Sequence, residues 1–167
     1  MGKNTPVLND FALLDTCPKL PSDLGSRAVK LTVKSDYATR AVLELARSYE
    51  SGQARRVDDL AKVAGVSANY LVQILIELKS RGIVKSLRGK EGGYLLDRAP
   101  SEISLGDVLR CIHGEVFDTP ALGDENCPEE LRRGWAKLQS AATEAADDLD
   151  FQKLVEEGAN KEEMYYI

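Results

Sequence analysis

The stretch Leu60-Ala61-Lys62-Val63-Ala64-Gly65-Val66-Ser67-Ala68-Asn69-Tyr70-Leu71-Val72-Gln73-Ile74-Leu75 decides the fold. Its first part reads as a short helix started by Asp58 or Asp59, with Leu60, Ala61 and Val63–Ala64 turned inward. Gly65 stops that helix, and Ser67 caps the next, whose inward positions are Leu71, Ile74, Leu75 and Leu78. Arg81 in the last turn and Gly82 just beyond form a helix stop. Two short helices joined by Ala64-Gly65-Val66-Ser67 predict a helix-turn-helix. The glycine permits a left-handed turn, the valine plugs the turn into the core, and the serine opens the second helix. A generic helical hairpin would show the same pattern, so the flanking residues decide.

Downstream, Ile83–Leu87 reads as a strand and Tyr94–Leu96 as its antiparallel partner. Between them lies Arg88-Gly89-Lys90-Glu91-Gly92-Gly93, a glycine-rich tip that carries two cations. A helix-turn-helix followed at once by a basic hairpin predicts a winged helix. A phosphate-binding P-loop is excluded, because it needs Ser or Thr after its Lys and then a helix. Here Glu91 follows Lys90, and a strand follows Gly93. Upstream, a helix is predicted from about Asp36 to Ser51, capped by Ser35, with Tyr37, Ala38, Ala41, Val42, Leu45, Ala46 and Tyr49 on one face and Gly52 at its end.

Pro100 breaks the chain, and Ser104 then caps a predicted helix over Leu105–His113. Residues 114–127 read as an irregular loop, after which Pro128 sits at the first turn of a long helix. That helix carries Leu131, Trp135, Leu138, Ala142, Ala145 and Leu149 in steps of 4, 3, 4, 3 and 4, a heptad seam. Pairing with a second copy is the expected use of the seam, and packing on the chain's own domain is the alternative. Asp150 is expected to cap a last short helix, Phe151–Glu157, ended by Gly158, with an apolar finish at Met164-Tyr165-Tyr166-Ile167. Residues 1–29 contain Pro6, Pro18 and Pro21 and no sustained period, with at most a helical turn around Phe11–Leu14. The expected division is therefore an extension (1–29), a winged domain (30–113), a regulatory loop (114–127), a dimerisation helix with its short follower (128–157) and a tail (158–167).

The fold class expected is mainly α, with a small two-stranded antiparallel wing and a long dimerisation helix. The 167 residues, 43% hydrophobic and 29% charged, suit one globular domain with an appendage. Nothing in the chain is a run of about eighteen apolar residues. Residues 1–10 lack the basic segment and apolar stretch of a signal peptide. Cys17, Cys111 and Cys127 are an odd set with no CxxC pair, against a disulfide framework and a zinc finger. A cytoplasmic location and no membrane partner are expected.

The net charge of −5 hides an asymmetry. Residues 27–98 hold 14 Lys+Arg against 8 Asp+Glu, while residues 99–167 hold 6 against 16. A local positive field of this kind is what phosphate binding requires.

With these residues in place, the chain resembles the Rrf-type bacterial regulators, whose members include IscR, NsrR and CymR. The resemblance covers roughly residues 30–157. It rests on Leu31–Ala38, on the Gly65–Gln73 recognition-helix run, on the Ser86–Leu96 wing and on Ile103–Leu109. It implies a dimeric winged-helix transcription factor, repressor or activator, that binds double-stranded DNA at a palindromic operator. From the residues themselves, no catalytic residue and no metal site are expected. The family often carries Glu just before the recognition-helix glutamine; here Val72 cannot accept a hydrogen bond from a cytosine amino group. Cluster-binding members carry three cysteines in the loop before the long helix, with one further ligand. Here that loop holds Cys127 alone, with Cys111 and His113 in the helix before it. No cofactor is expected; an iron–sulfur cluster assembled by the partner subunit with Cys111, His113 or Cys17 stays open.

Ser67, Asn69, Tyr70 and Gln73 open the predicted recognition helix, where a major-groove reader meets bases and phosphates. Gln73 can pair bidentately with adenine, while Ser67 and Tyr70 suit phosphates, with capping and core packing as their alternative roles. Arg88, Gly89 and Lys90 would follow the wing to the minor groove or its phosphates. Thr32 and Lys34 are further phosphate candidates. Cys127 and Cys111 are candidate thiol sensors, and a small-molecule effector between the long helix and the winged domain is a third route. A winged-helix module that docks a protein through loop 114–127 is the reading from a different class. An enzyme finds no support, because His113 has no nucleophile beside it.

Overall fold

The computed structural model describes residues 31–89 and 92–164, the side chains of 161–164 excepted. The extension with its Phe11–Leu14 turn, Cys17, Lys90, Glu91 and residues 165–167 lie outside the described residues.

Helix α1 is Val33–Arg47, and its N-cap is Thr32 rather than Ser35. Thr32 is extended, and its hydroxyl accepts from the Ser35 N–H. Two hydroxyl residues compete for the cap, and the earlier one wins because Ser35 is buried in the first turn and donates to the Thr32 carbonyl at 2.8 Å. The helix also stops short of Ser51, in a turn that runs to Gly52 at φ +63°.

Helix α2, Val57–Ala64, starts from Arg56 without a side-chain cap. Asp58 and Asp59 fall inside its first turn, where they face the positive end of the helix. Val63 is not inward but 46% exposed, because Leu60, Ala61 and Ala64 already complete the buried stripe. Gly65 takes φ +74°, a left-handed conformation that L side chains rarely adopt, and its N–H returns to the Ala61 carbonyl at 2.9 Å. Val66 packs on the core, and Ser67 caps helix α3, Ala68–Ser80. The helix-turn-helix thus forms as the sequence predicts.

Strands β1 (Val84–Leu87) and β2 (Gly93–Leu96) pair antiparallel, from Val84 opposite Leu96 to Leu87 opposite Gly93. Ile83 precedes β1, its N–H bonded to the Leu78 carbonyl at 3.0 Å. The far edge of β2 is covered too: Tyr94 and Arg55 exchange backbone hydrogen bonds of 2.9 and 2.8 Å. Gly93 makes that approach feasible, because a Cβ there would fall on the Arg55 carbonyl.

Helix α4, Leu105–His113, starts from a capping box in which Ser104 and Asp107 bond each other's backbone N–H. Helix α5 is Glu129–Asp147 with Pro128 as its N-cap, one position outside the first turn. It ends before Leu149, so the last expected seam position lies beyond the helix. There the Leu149 carbonyl accepts from the Leu105 N–H at 2.8 Å, turning the chain back against α4. Helix α6, Phe151–Met164, runs straight through Gly158. A mid-helix glycine costs about 1 kcal/mol against alanine. Phe151, Leu154 and Val155 packed on the core outweigh that, and the bare Gly158 backbone faces Arg47.

The core is one cluster. Leu45, Leu60, Leu71, Ile74, Leu75, Leu78, Ile83, Leu96, Ile103 and Phe151 are at most 2% exposed. Among the described residues, six α-helices and one two-stranded antiparallel sheet make a winged helix-turn-helix followed by α5 and α6.

Candidate nucleic-acid interface

Burying Leu71, Ile74, Leu75 and Leu78 leaves one outward face on α3. Asn69, Tyr70 and Gln73 lie on it, all exposed. Ser67 caps the helix at its start, its oxygen 3.4 Å from the Tyr70 N–H, and is exposed as well. Tyr70 combines its two expected roles. Its ring packs edge-on against Tyr37 of α1 (centroids 6.2 Å, planes at 86°), yet the residue stays 43% exposed. The packing fixes the ring and leaves the hydroxyl free to donate.

Ile76 was not singled out from the sequence, yet it shares this face one turn after Gln73, 53% exposed. An apolar group there suits a thymine methyl. The signal was its three-residue spacing from Gln73, which an inward-looking search for apolar residues passes over.

Lys34 is brought to Glu77 of α3, with its ammonium 2.7 Å from the carboxylate. Its first partner is therefore that acid rather than a phosphate. The pair neutralises an α3 carboxylate that would otherwise repel a nucleic-acid backbone. Thr32, the α1 cap, lies 3.3 Å from His113 Nε2, which is also 2.9 Å from the Ser35 hydroxyl. The end of α4 is thereby tied to the start of α1.

On the wing, Arg88 and Gly89 are exposed, Gly89 at φ +107°, and the Gly92 N–H closes a turn onto the Gly89 carbonyl at 3.0 Å. A Cβ at Gly92 would meet the Leu87 carbonyl at 2.7 Å, so the tip needs glycine there. Lys79, a second residue passed over in the sequence, donates to the Ser86 hydroxyl at 2.7 Å and joins α3 to the base of the wing. Most neighbouring cations are already paired, as in Arg40–Asp36, Lys62–Asp59 and Lys85–Asp97.

The seam residues of α5 divide. Leu131 is 50% and Leu138 47% exposed, and Ala145 is exposed too. Trp135 is half-buried because Phe117 of the 114–127 loop stacks on it (centroids 6.2 Å, planes at 23°). Gln139 fixes that loop through a 2.9 Å bond to the Phe117 carbonyl.

Cys127 and Cys111 are both partly buried. Burial pushes the Cys111 thiol up, and the Arg81 charge pulls it partly back. A raised thiol is the less reactive kind, which argues against Cys111 as a thiolate switch. Among the described residues, no three His, Cys, Asp or Glu side chains converge as a bound metal ion needs.

A winged helix whose α3 turns a polar face outward beside an exposed Arg88 is an architecture that many DNA-binding proteins share, and comparisons with known proteins point the same way. The Rrf2 family model, described as an iron-dependent transcriptional regulator, matches residues 31–157. The chain belongs to the Rrf2 family. It is 41% identical over 100 residues to an HTH-type transcriptional regulator of Mycobacterium tuberculosis, covering 60% of this chain and 62% of that one. The match thus spans less than two thirds of that relative. With CymR of Bacillus subtilis it shares 30% identity over 141 residues, 83% of this chain and all of CymR. The solved structure of CymR, the global cysteine regulator of that organism, superposes with a TM-score of 0.70 over 77% of this chain and 98% of CymR, at 27% identity. T. potens IscR superposes at 0.69 over 85% and 100%, at 26% identity. The family is one of transcriptional regulators, and the relatives named here are regulators rather than enzymes. No described helix is long and apolar enough to cross a membrane.

Proposed function

We propose that the chain acts as a homodimer on a palindromic operator, with α3 in the major groove and the wing at the flanking minor groove. One observation carries this reading: Asn69, Tyr70 and Gln73 stand together on the exposed face of a helix whose opposite face is fully buried. Gln73 reads a base through its amide. Ser67 and Tyr70, with Arg88 and Lys90 of the wing, hold phosphates, and Thr32 and Lys34 lie behind them. The exposed Leu131, Leu138 and Ala145, with Trp135 and Ala142, supply the dimer contact. A two-fold dimer then places two α3 helices about 34 Å apart, one turn of duplex.

The reading includes regulation without a standard three-cysteine iron–sulfur cluster. It rests on the single loop cysteine, Cys127, and on the lack of a converging ligand set among the described residues. Anaerobic purification with iron and sulfide counted per chain tests it; stoichiometric iron would overturn it. Operator binding is tested by selecting duplexes from a random pool and measuring Gln73→Ala on the selected site. The variant is expected to lose about 1–3 kcal/mol of discrimination at one base position. Equal losses on random duplex would show that Gln73 does not read sequence.

A further inference from the structure

Behind the recognition face, a cleft of about 270 Å³ opens between the end of α3, the start of β1 and α4. Its walls carry Arg81, Arg98, Arg110, Asp107 and Cys111. Three guanidiniums from three segments meet there, in a chain of net charge −5.

Their partners differ. Arg110 donates to Asp147 of α5 at 2.6 Å and to Asp107 at 3.2 Å, and this pairing pushes it above its usual value. Arg98 donates to the Glu102 carbonyl at 3.0 Å and lies 3.7 Å from Asp107. Arg81 makes no hydrogen bond or ion pair to another described side chain, and its charge is felt at the Cys111 thiol. Asp107 and Asp147 are thus taken up by Arg98 and Arg110, and the nearby Glu77 is paired with Lys34, which leaves Arg81 unmatched at the wall. Arginines already held in place lose little freedom on binding, and their fork matches a carboxylate or phosphate. The volume lies just below the range of drug-sized pockets, which sets the scale of an occupant.

We propose that this cleft binds a small oxyanion, a carboxylate- or phosphate-bearing metabolite, through Arg81 supported by Arg98 and Arg110. The occupant competes with Asp147 for Arg110 and so loosens α4 from the end of α5. That link is made at close quarters: a Cβ on the buried Gly106 would fall on the Asp147 carboxylate. Neither the site nor this loosening rests on the function proposed above. A DNA backbone phosphate has the same chemistry. However, Arg81 lies at the opposite end of the 13-residue α3 from Ser67, about 20 Å away.

Cys111 reports on the cleft. The full-length protein is alkylated with iodoacetamide, which is neutral, in sodium succinate or inorganic phosphate and in chloride of equal ionic strength. Each cysteine is followed by peptide mass spectrometry. An occupant should slow Cys111 at least about threefold and leave Cys127 unchanged, and Arg81→Gln should need about tenfold more anion for the same effect. Amide exchange at the end of α5 should quicken with anion in the wild type. Equal Cys111 rates in all salts, or full protection in Arg81→Gln, would overturn the site. Protection by random duplex DNA alone, at matched phosphate, would assign the cleft to the DNA backbone and overturn the metabolite. Protection with unchanged exchange would overturn the coupling to α5. The assay of free anions contains no operator, so its failure and that of the operator reading are separable.

Discussion

Helix α3 has 13 residues and buries Leu71, Ile74, Leu75 and Leu78 completely, whereas α5 has 19 and buries Ala146 alone. Both are amphipathic, and both carry leucines at helical spacing. In α3 that apolar face is covered by α1, α2 and β1 of the same chain. In α5 the neighbours from the same chain are α4 and the short turn at Pro120–Leu122, which leave Leu131 and Leu138 about half exposed. Isolated helices gain little in water, and most helical stability comes from packing an apolar face. The winged domain therefore closes its core with Phe151 of α6 as its outside contribution, and α5 calls for a second surface.

This contrast breaks most easily at the core. Leu75→Ala is expected to cost about 2–5 kcal/mol in urea unfolding. Leu138→Ala at protein concentrations low enough for monomer should cost less than about 0.5 kcal/mol. Similar losses would mean that α5 is packed within its own chain after all.

Assembly comes next in size. Leu138→Glu should shift sedimentation from dimer to monomer and weaken operator binding by more than about tenfold, since a two-fold seam meets the charge from both sides. Leu138 is a cleaner probe than Trp135, whose ring also stacks on Phe117 of its own loop. A variant that sediments as dimer would move the interface elsewhere.

A smaller effect separates wing from seam. Arg88→Ala should weaken operator binding by about 1 kcal/mol or more and reduce the salt slope by about 1, with the dimer intact. An unchanged affinity and slope would remove the wing from the interface.

The smallest effect lies where the two regions join. Hydrogen bonds from Arg110 hold the Asp147 carboxyl below the usual carboxylate range. Its contribution to stability is therefore present above the unfolded value of about 3.9 and fades as pH falls through the lowered folded value. Asp147 is 42% exposed, so solvent keeps this contribution below about 1 kcal/mol. Asp147→Asn should lower the urea midpoint slightly at neutral pH, and the difference from wild type should vanish in strong acid. A difference that persists there would show that the carboxylate charge is not the cause.

Local chemistry explains why much of this was legible in the chain. The Gly65 turn, the Ser67 cap, the Ser104 start of α4 and the hairpin tip each follow from residues within a few positions of one another. The misreadings share another cause. In sequence Ser35 looks like a cap, since nothing near it reveals His113 above it. Gly158 looks like a stop, since the surface it faces, at Arg47, lies on another helix. In the candidate site, helical spacing alone places Asn69, Tyr70 and Gln73 opposite Leu71 and Ile74. The pairing of Lys34 with Glu77 and the donation of Lys79 to Ser86 have no such local signal, since they join separate elements.

The sequence by itself determined the helix-turn-helix, the wing, the charge asymmetry and the seam, because period, caps and turn residues act over one or two turns of chain. Only the tertiary structure decided which cations are already paired, how Gly93 admits Arg55 to the edge of the wing, and where three arginines meet across a cleft. Such contacts join residues tens of positions apart, and no short-range pattern encodes distances of that kind.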